Sequence, residues 1–139
     1  MNILVDTNVI SELRRGRNAD SRVVNWFAAM PPENVFTSVI VLGELRRGIE
    51  LVSRRDKRQA DALAQWYDSV RQQLGDRVLL VDEPIMTVWA RISTPDVLPA
   101  YDGLIAATAI HHGLAVATRN TRDYRRSGVQ VVNPWQHNA

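Results

Sequence analysis

The chain has 139 residues and a formal net charge of +2, enough for one domain with a substantial core and no bulk charge that announces a nucleic-acid binder. It has no cysteine, which excludes disulfides and thiolate metal sites and leaves oxygen or imidazole to hold any metal. No apolar stretch approaches the roughly 20 residues of a membrane span, and the N-terminus lacks the basic-then-apolar pattern of a secretion signal; a soluble, cytoplasmic protein is expected. All but Lys57 of the 17 basic residues are arginine, whose planar fork suits phosphate oxygens, although codon composition explains the bias equally well.

Taken in order, Ile3-Leu4-Val5 is an apolar run too short for a helix and suited to a strand buried on both faces. It ends in Asp6, and a helical pattern follows through Ile10 and Leu13 to about Arg15, where Gly16 stops it. Asp6 or Thr7 can serve as its N-cap. Ser21 is the candidate cap of a second helix, which Pro31-Pro32 stops. Val35-Phe36-Thr37 reads as a second strand, after which Thr37 or Ser38 caps a helix from Val39 to about Val52. Its apolar positions Val41, Leu42, Leu45, Ile49 and Val52 keep the helical period, with Glu44 among them. Asp56 to Leu74 is a further helix, forming a hairpin with the preceding one and ending at Gly75.

Val78-Leu79-Leu80-Val81 is the next strand, and Asp82 with Pro84 opens a helix through Ile85, Val88, Trp89 and Ile92. A proline-marked loop leads to Asp102-Gly103 and a helix that is apolar nearly all round, from Leu104 to Ile110. Gly113 ends it, Leu114 to Ala117 is a strand, Thr118 to Asp123 reads as a polar loop, and Val129 to Val132 closes the sheet. Strands alternating with helices give an α/β fold with a central, mostly parallel sheet and helices on both faces.

In such a sheet the strand-to-helix junctions share one edge, which gathers Asp6, Glu44 and the loop carrying Asn120 and Asp123. Asp102 joins them if its helix begins at that edge, or else serves as a helix cap. Clustered carboxylates repel one another unless a cation intervenes. Mg²⁺ or Mn²⁺ suits all-oxygen donors and can polarise a phosphoryl oxygen and activate a bound water. With no serine–histidine or cysteine nucleophile evident, the pattern points to phosphodiester hydrolysis, with one metal or two. A receiver-type phosphorelay domain would need paired acids and a late lysine, and an Asp-x-Asp phosphatase fails because Asn8 holds the second position.

Four stretches carry a resemblance: Asp6 to Glu12, Gly43 to Gly48, Asp102 to Ala109 and Ala117 to Tyr124, with Asn133-Pro134-Trp135 as an ending. Together they resemble the PIN-domain toxins, and within them the VapC-type toxins of type II toxin–antitoxin modules. The resemblance spans essentially the whole chain, so residues 1–139 are expected to form one PIN-like nuclease domain, a three-layer sandwich. It implies a Mg²⁺-dependent endoribonuclease (Mn²⁺ serving as well), held inactive by a cognate VapB-like antitoxin, and a homodimer. By position it makes Asp6 and Asp102 the principal metal ligands and Glu44 the third acid, which helps hold the metal and orient water. The fourth position is often Asp and here is Asn120; Asp123, one turn on, either substitutes for it or caps the following turn. A catalytically weak PIN fold that binds RNA or acts as a scaffold is the alternative.

The remaining candidates are weaker. Thr7, Asn8 and Thr118 can contact the site or serve as ordinary capping and strand-end residues. Arg46 and Arg47 can meet phosphates or form a solvated face. His111 and His112 end a helix and are not read as ligands, and the four tryptophans are read as core or interface residues.

Overall fold

The computed structural model describes residues 1–138. Five strands, β1 (Ile3–Val5), β2 (Val35–Ser38), β3 (Val78–Leu79), β4 (Ala115–Ala117) and β5 (Val131–Val132), form one sheet in the order β3-β2-β1-β4-β5. Every pairing is parallel, with Ile3 opposite both Val35 and Ala115; the sheet predicted as mostly parallel is wholly so among the described residues. Side chains alternate faces along a strand, and all three residues of β1 are buried. Both faces of the central strand are therefore covered by helices, as the sandwich expectation requires.

The helices are α1 (Thr7–Arg14), α2 (Ser21–Ala28), α3 (Val39–Ser53), α4 (Lys57–Leu74), α5 (Glu83–Ile92), α6 (Ala100–His112) and α7 (Thr121–Arg126). Helices α3 and α4 pack as the predicted hairpin, and α5 packs along α6. The core joins the three inner strands to Val9, Ile10, Val41, Leu45, Ile105 and Ala106. Gly113 closes α6 with φ +70°, the left-handed conformation that glycine adopts without a Cβ penalty. No helix among the described residues is long and apolar enough to cross a membrane.

Several local expectations change. Asp20, not Ser21, caps α2, its carboxylate accepting from the Arg22 amide at 2.9 Å. Of the two candidates for α3, Ser38 is the cap, and the Thr37 hydroxyl instead donates to the Val5 carbonyl at 2.9 Å. The third strand stops at Leu79, because β3 is an edge strand and Leu80 is 69% exposed. The last strand likewise shortens to Val131–Val132. The polar stretch predicted as a loop from Thr118 to Asp123 turns helical at Thr121, which puts Asp123 in the first turn of α7.

Candidate active site

The chain leaves the two adjoining central strands in opposite directions, toward β2 from β1 and toward β5 from β4. Such a divergence opens a crevice beyond the carboxyl ends of the strands, where open α/β sheets place their ligands. Asp6 follows β1 and Thr118 follows β4, and the Asp6 amide donates to the Ala117 carbonyl at 3.0 Å. The predicted acids stand around this point.

Asp6 is only 4% exposed. It is the N-cap residue of α1, as sequence allowed, and its Oδ1 accepts from the Thr7 amide at 2.8 Å. Its other oxygen, Oδ2, accepts from the buried Thr118 hydroxyl at 2.8 Å. That hydroxyl also accepts from Asn8 Nδ2 at 3.2 Å and from the Asn120 amide at 3.0 Å, which uses its one proton and both lone pairs. Asn8 Oδ1 in turn accepts from the Arg119 amide at 3.2 Å. Thr118 and Asn8, open between two roles in sequence, thus brace the β4–α7 junction against Asp6.

Glu44 projects from the second turn of α3, half-buried, and its Oε1 accepts from the Thr7 hydroxyl at 2.7 Å. A hollow of about 200 Å³ opens beside it, lined also by Ser11, Arg14 and Trp66. A second cavity of about 500 Å³ is mainly apolar, lined by residues such as Ile10, Leu13, Phe27 and Val70, and contains none of the acids.

Asp102 does not cap its helix. It is the third residue of α6, whose N-cap is Pro99. Asp102 Oδ2 accepts from Asn120 Nδ2 at 2.7 Å, and Oδ1 accepts from the Tyr124 hydroxyl at 3.4 Å. The same Asn120 amide group donates to Asp123 Oδ2 at 3.3 Å, and Asp123 also pairs with Arg126 at 3.5 Å. Asn120 and Asp123 are thus joined to each other beside Asp102. Asn120 precedes α7 as its N-cap residue but makes no side-chain cap bond, because its amide is turned toward the acids. Tyr124, fully buried on α7, was not singled out from sequence; an aromatic after Asp123 reads there only as core. Its hydroxyl donates to Asp102.

The electrostatics show how closely these groups are gathered. Burial pushes the Asp6 carboxyl above its usual range, against the pull of the Thr118, Thr7 and Tyr124 hydrogen bonds. Glu44 is raised by burial and by the charge of Asp6, with the Thr7 hydroxyl opposing. Asp102 is pushed up to about 6, first by burial and then by Asp6, Glu44 and Asp123. Tyr124 is driven strongly upward by burial and by the neighbouring acids, so its hydroxyl keeps its proton and remains a donor. Among the described residues no three His, Asp or Glu side chains close on one point as a ready-made metal cage. The donor set nevertheless fits a hydrated Mg²⁺ or Mn²⁺, which takes one or two carboxylates and keeps several waters. A cation there would offset the repulsion that helps to raise Glu44 and Asp102.

The other candidates lie outside this cluster. Arg46 is exposed and stacks over Tyr67 at 5.2 Å, and His111 and His112 sit exposed in the last turn of α6. Trp26 and Trp135 are buried, with Trp66 and Trp89 partly so. Arg119 lies over the Trp135 ring at 5.2 Å, one residue from Asn120.

Residues 3–129 match the family model described as PIN domain. Toxin FitB of Neisseria gonorrhoeae is 39% identical over 140 aligned positions, covering 96% of this chain and 98% of that protein. VapC ribonuclease Y4jK of Sinorhizobium fredii is 34% identical over 96% of this chain and 98% of its own length. The crystal structure of FitAcB from Neisseria gonorrhoeae superposes with a TM-score of 0.89 at 37% identity, covering 96% of this chain and 99% of that one. With the family model spanning nearly all of its length and relatives above 30% identity along it, the chain belongs to the PIN domain family.

Proposed function

We propose that this chain is the ribonuclease toxin of a VapBC-type toxin–antitoxin pair, acting inside the cell and hydrolysing RNA phosphodiester bonds at Asp6, Glu44 and Asp102. The observation that carries the reading is the gathering of Asp6, Asp102 and Asp123 around Thr118 and Asn120, with Glu44 held beside Thr7, a crowding that helps push Asp102 up to about 6. Structural ion pairs also perturb acids, but among the described residues no basic side chain bonds Asp6, Glu44 or Asp102, so the cluster calls for a cation from outside. The names toxin FitB and VapC ribonuclease Y4jK support the same activity, and the structure described as FitAB bound to a DNA fragment, 36% identical, supports an antitoxin as partner.

In this reading Asp6 and Asp102 hold Mg²⁺ or Mn²⁺, with Glu44 as the third acid. Such an ion supplies Lewis acidity toward the scissile phosphate and lowers the pKa of bound water. The chain's own residues do the rest. The Thr7 hydroxyl aims Glu44, which holds the attacking water and accepts its proton. Asn120 keeps Asp102 and Asp123 from separating. Exposed Arg119, beside the acids, meets the flanking phosphates of the strand. The antitoxin keeps the crevice closed, and the chain is expected to pair with a second copy of itself.

The rival reading, RNA binding without cleavage, drew on the missing acid at position 120. Asp123 supplies an acid next to that position, which favours the nuclease. The test is incubation of total cellular RNA with the purified, antitoxin-free chain in Mg²⁺, Mn²⁺ or chelator, with Asp102→Asn as control. Metal-dependent cutting that disappears in the variant is expected. RNA binding in chelator, with no cutting under any ion, would move the assignment to the rival.

A further inference from the structure

Four of the polar groups that hold the acids come from sequence positions already noted for chemistry. The fifth, Tyr124, does not. Its ring belongs to the main core, α7 packs it against α6 and β5, and the Ser127 hydroxyl donates to its backbone carbonyl. A buried tyrosine ordinarily turns its hydroxyl toward some partner. Here the partner is a carboxylate of the candidate centre, Asp102, by its Oδ1 at 3.4 Å.

Resting on the nuclease reading, we propose that Tyr124 is a positioning residue of the metal centre, bracing Asp102 from the core side so that Asp102 and Asp6 together favour a compact six-coordinate cation. Two carboxylates offer four oxygens. Thr7 and Thr118 engage the two of Asp6, and Asn120 engages Oδ2 of Asp102. Among the described residues only Tyr124 engages Oδ1 of Asp102, and with it every oxygen of the pair carries a donor from the protein. A carboxylate held at both oxygens has little freedom to swing and present both of them to a cation. That restriction suits Mg²⁺ and Mn²⁺, which keep strict octahedral shells, and disfavours Ca²⁺, whose larger shell takes bidentate carboxylates. Loss of a partner of this kind, one step behind the ligands, typically costs about 10- to 100-fold in metal affinity.

The experiment is calorimetric titration of the metal-free chain with Mn²⁺ and separately with Ca²⁺, for wild type and Tyr124→Phe. The substitution keeps the ring and its packing, and thermal melts in chelator confirm that both proteins fold alike. The expected result is Mn²⁺ affinity about tenfold weaker in the variant, by the usual effect of such partners, with Ca²⁺ affinity reduced less and the preference for Mn²⁺ narrowed. An unchanged affinity for Mn²⁺, or equal weakening of both ions, overturns the proposal, since a role in packing alone would not alter the preference. Failure of the wild type to bind Mn²⁺ is a different outcome and overturns the nuclease reading beneath it.

Discussion

Asn120 Nδ2 lies 2.7 Å from Asp102 Oδ2, and the same nitrogen reaches Asp123 Oδ2 at 3.3 Å. One neutral amide thus holds two acids that would otherwise repel. Asn120→Asp replaces this donor by a third carboxylate facing the other two. Metal-free stability should fall by about 1–3 kcal/mol, the cost of losing a buried partner, while Mg²⁺ should raise the melting temperature more than in wild type. Thermal melts with Mg²⁺ and with chelator measure both.

Asp102 supplies a pH dependence. Its carboxyl is pushed up to about 6 in the folded chain from an ordinary value of 3.8, so between these values the folded state binds more protons than the unfolded. Stability from this group is full at about pH 4 and is lost as pH rises through about 6. Metal-free wild type should therefore gain stability on acidification across that window, and Asp102→Asn should lose this part of the gain. Denaturation at pH 4.5 and 7 in chelator is the check.

Thr7→Val removes the hydroxyl that donates to Glu44 Oε1 at 2.7 Å and keeps the side-chain shape. A hydrogen bond to a charged group is worth about 1.5–3 kcal/mol, so kcat should drop tenfold or more. Mn²⁺ affinity should change much less, because Asp6 and Asp102 keep their own donors. Comparison of cleavage rates with metal titrations separates the two effects.

The glycine after Asp102 has a packing reason. A Cβ at Gly103 would lie 3.2 Å from Trp89 Nε1 and 3.3 Å from its Cδ1. Gly103→Ala should push α6 away from α5 and cost about 1–3 kcal/mol of overpacking, measured by denaturant unfolding. Because Asp102 is the adjacent residue, RNA cleavage should fall as well.

How much of this was legible in the sequence follows from how local each signal is. The strand before Asp6 could be read because three apolar residues bounded by a carboxylate leave few alternatives, and its burial on both faces follows from that run. Glu44 could be placed because α3 is long enough to show its period. Helix α7 could not, since six residues with one buried side chain, Tyr124, display no periodicity. The relation of Asn120 to Asp123 depended on that unseen helix, and the bracing role of Tyr124 on the packing of α7 against α6. Strand order is set by pairings between distant segments, such as Leu4 with Val116, so the switch point that makes the crevice appears only in three dimensions.

The most direct test of the central claim, that the acids around Asp6 form a metal-dependent nuclease centre, is the single-turnover rate of RNA cleavage against Mg²⁺ concentration, for wild type and Asp6→Asn. The expected result is a wild-type rate that climbs with Mg²⁺ and saturates, and a folded variant that stays at background throughout. Cleavage by the wild type in chelator, or the same Mg²⁺ curve in Asp6→Asn, would contradict it.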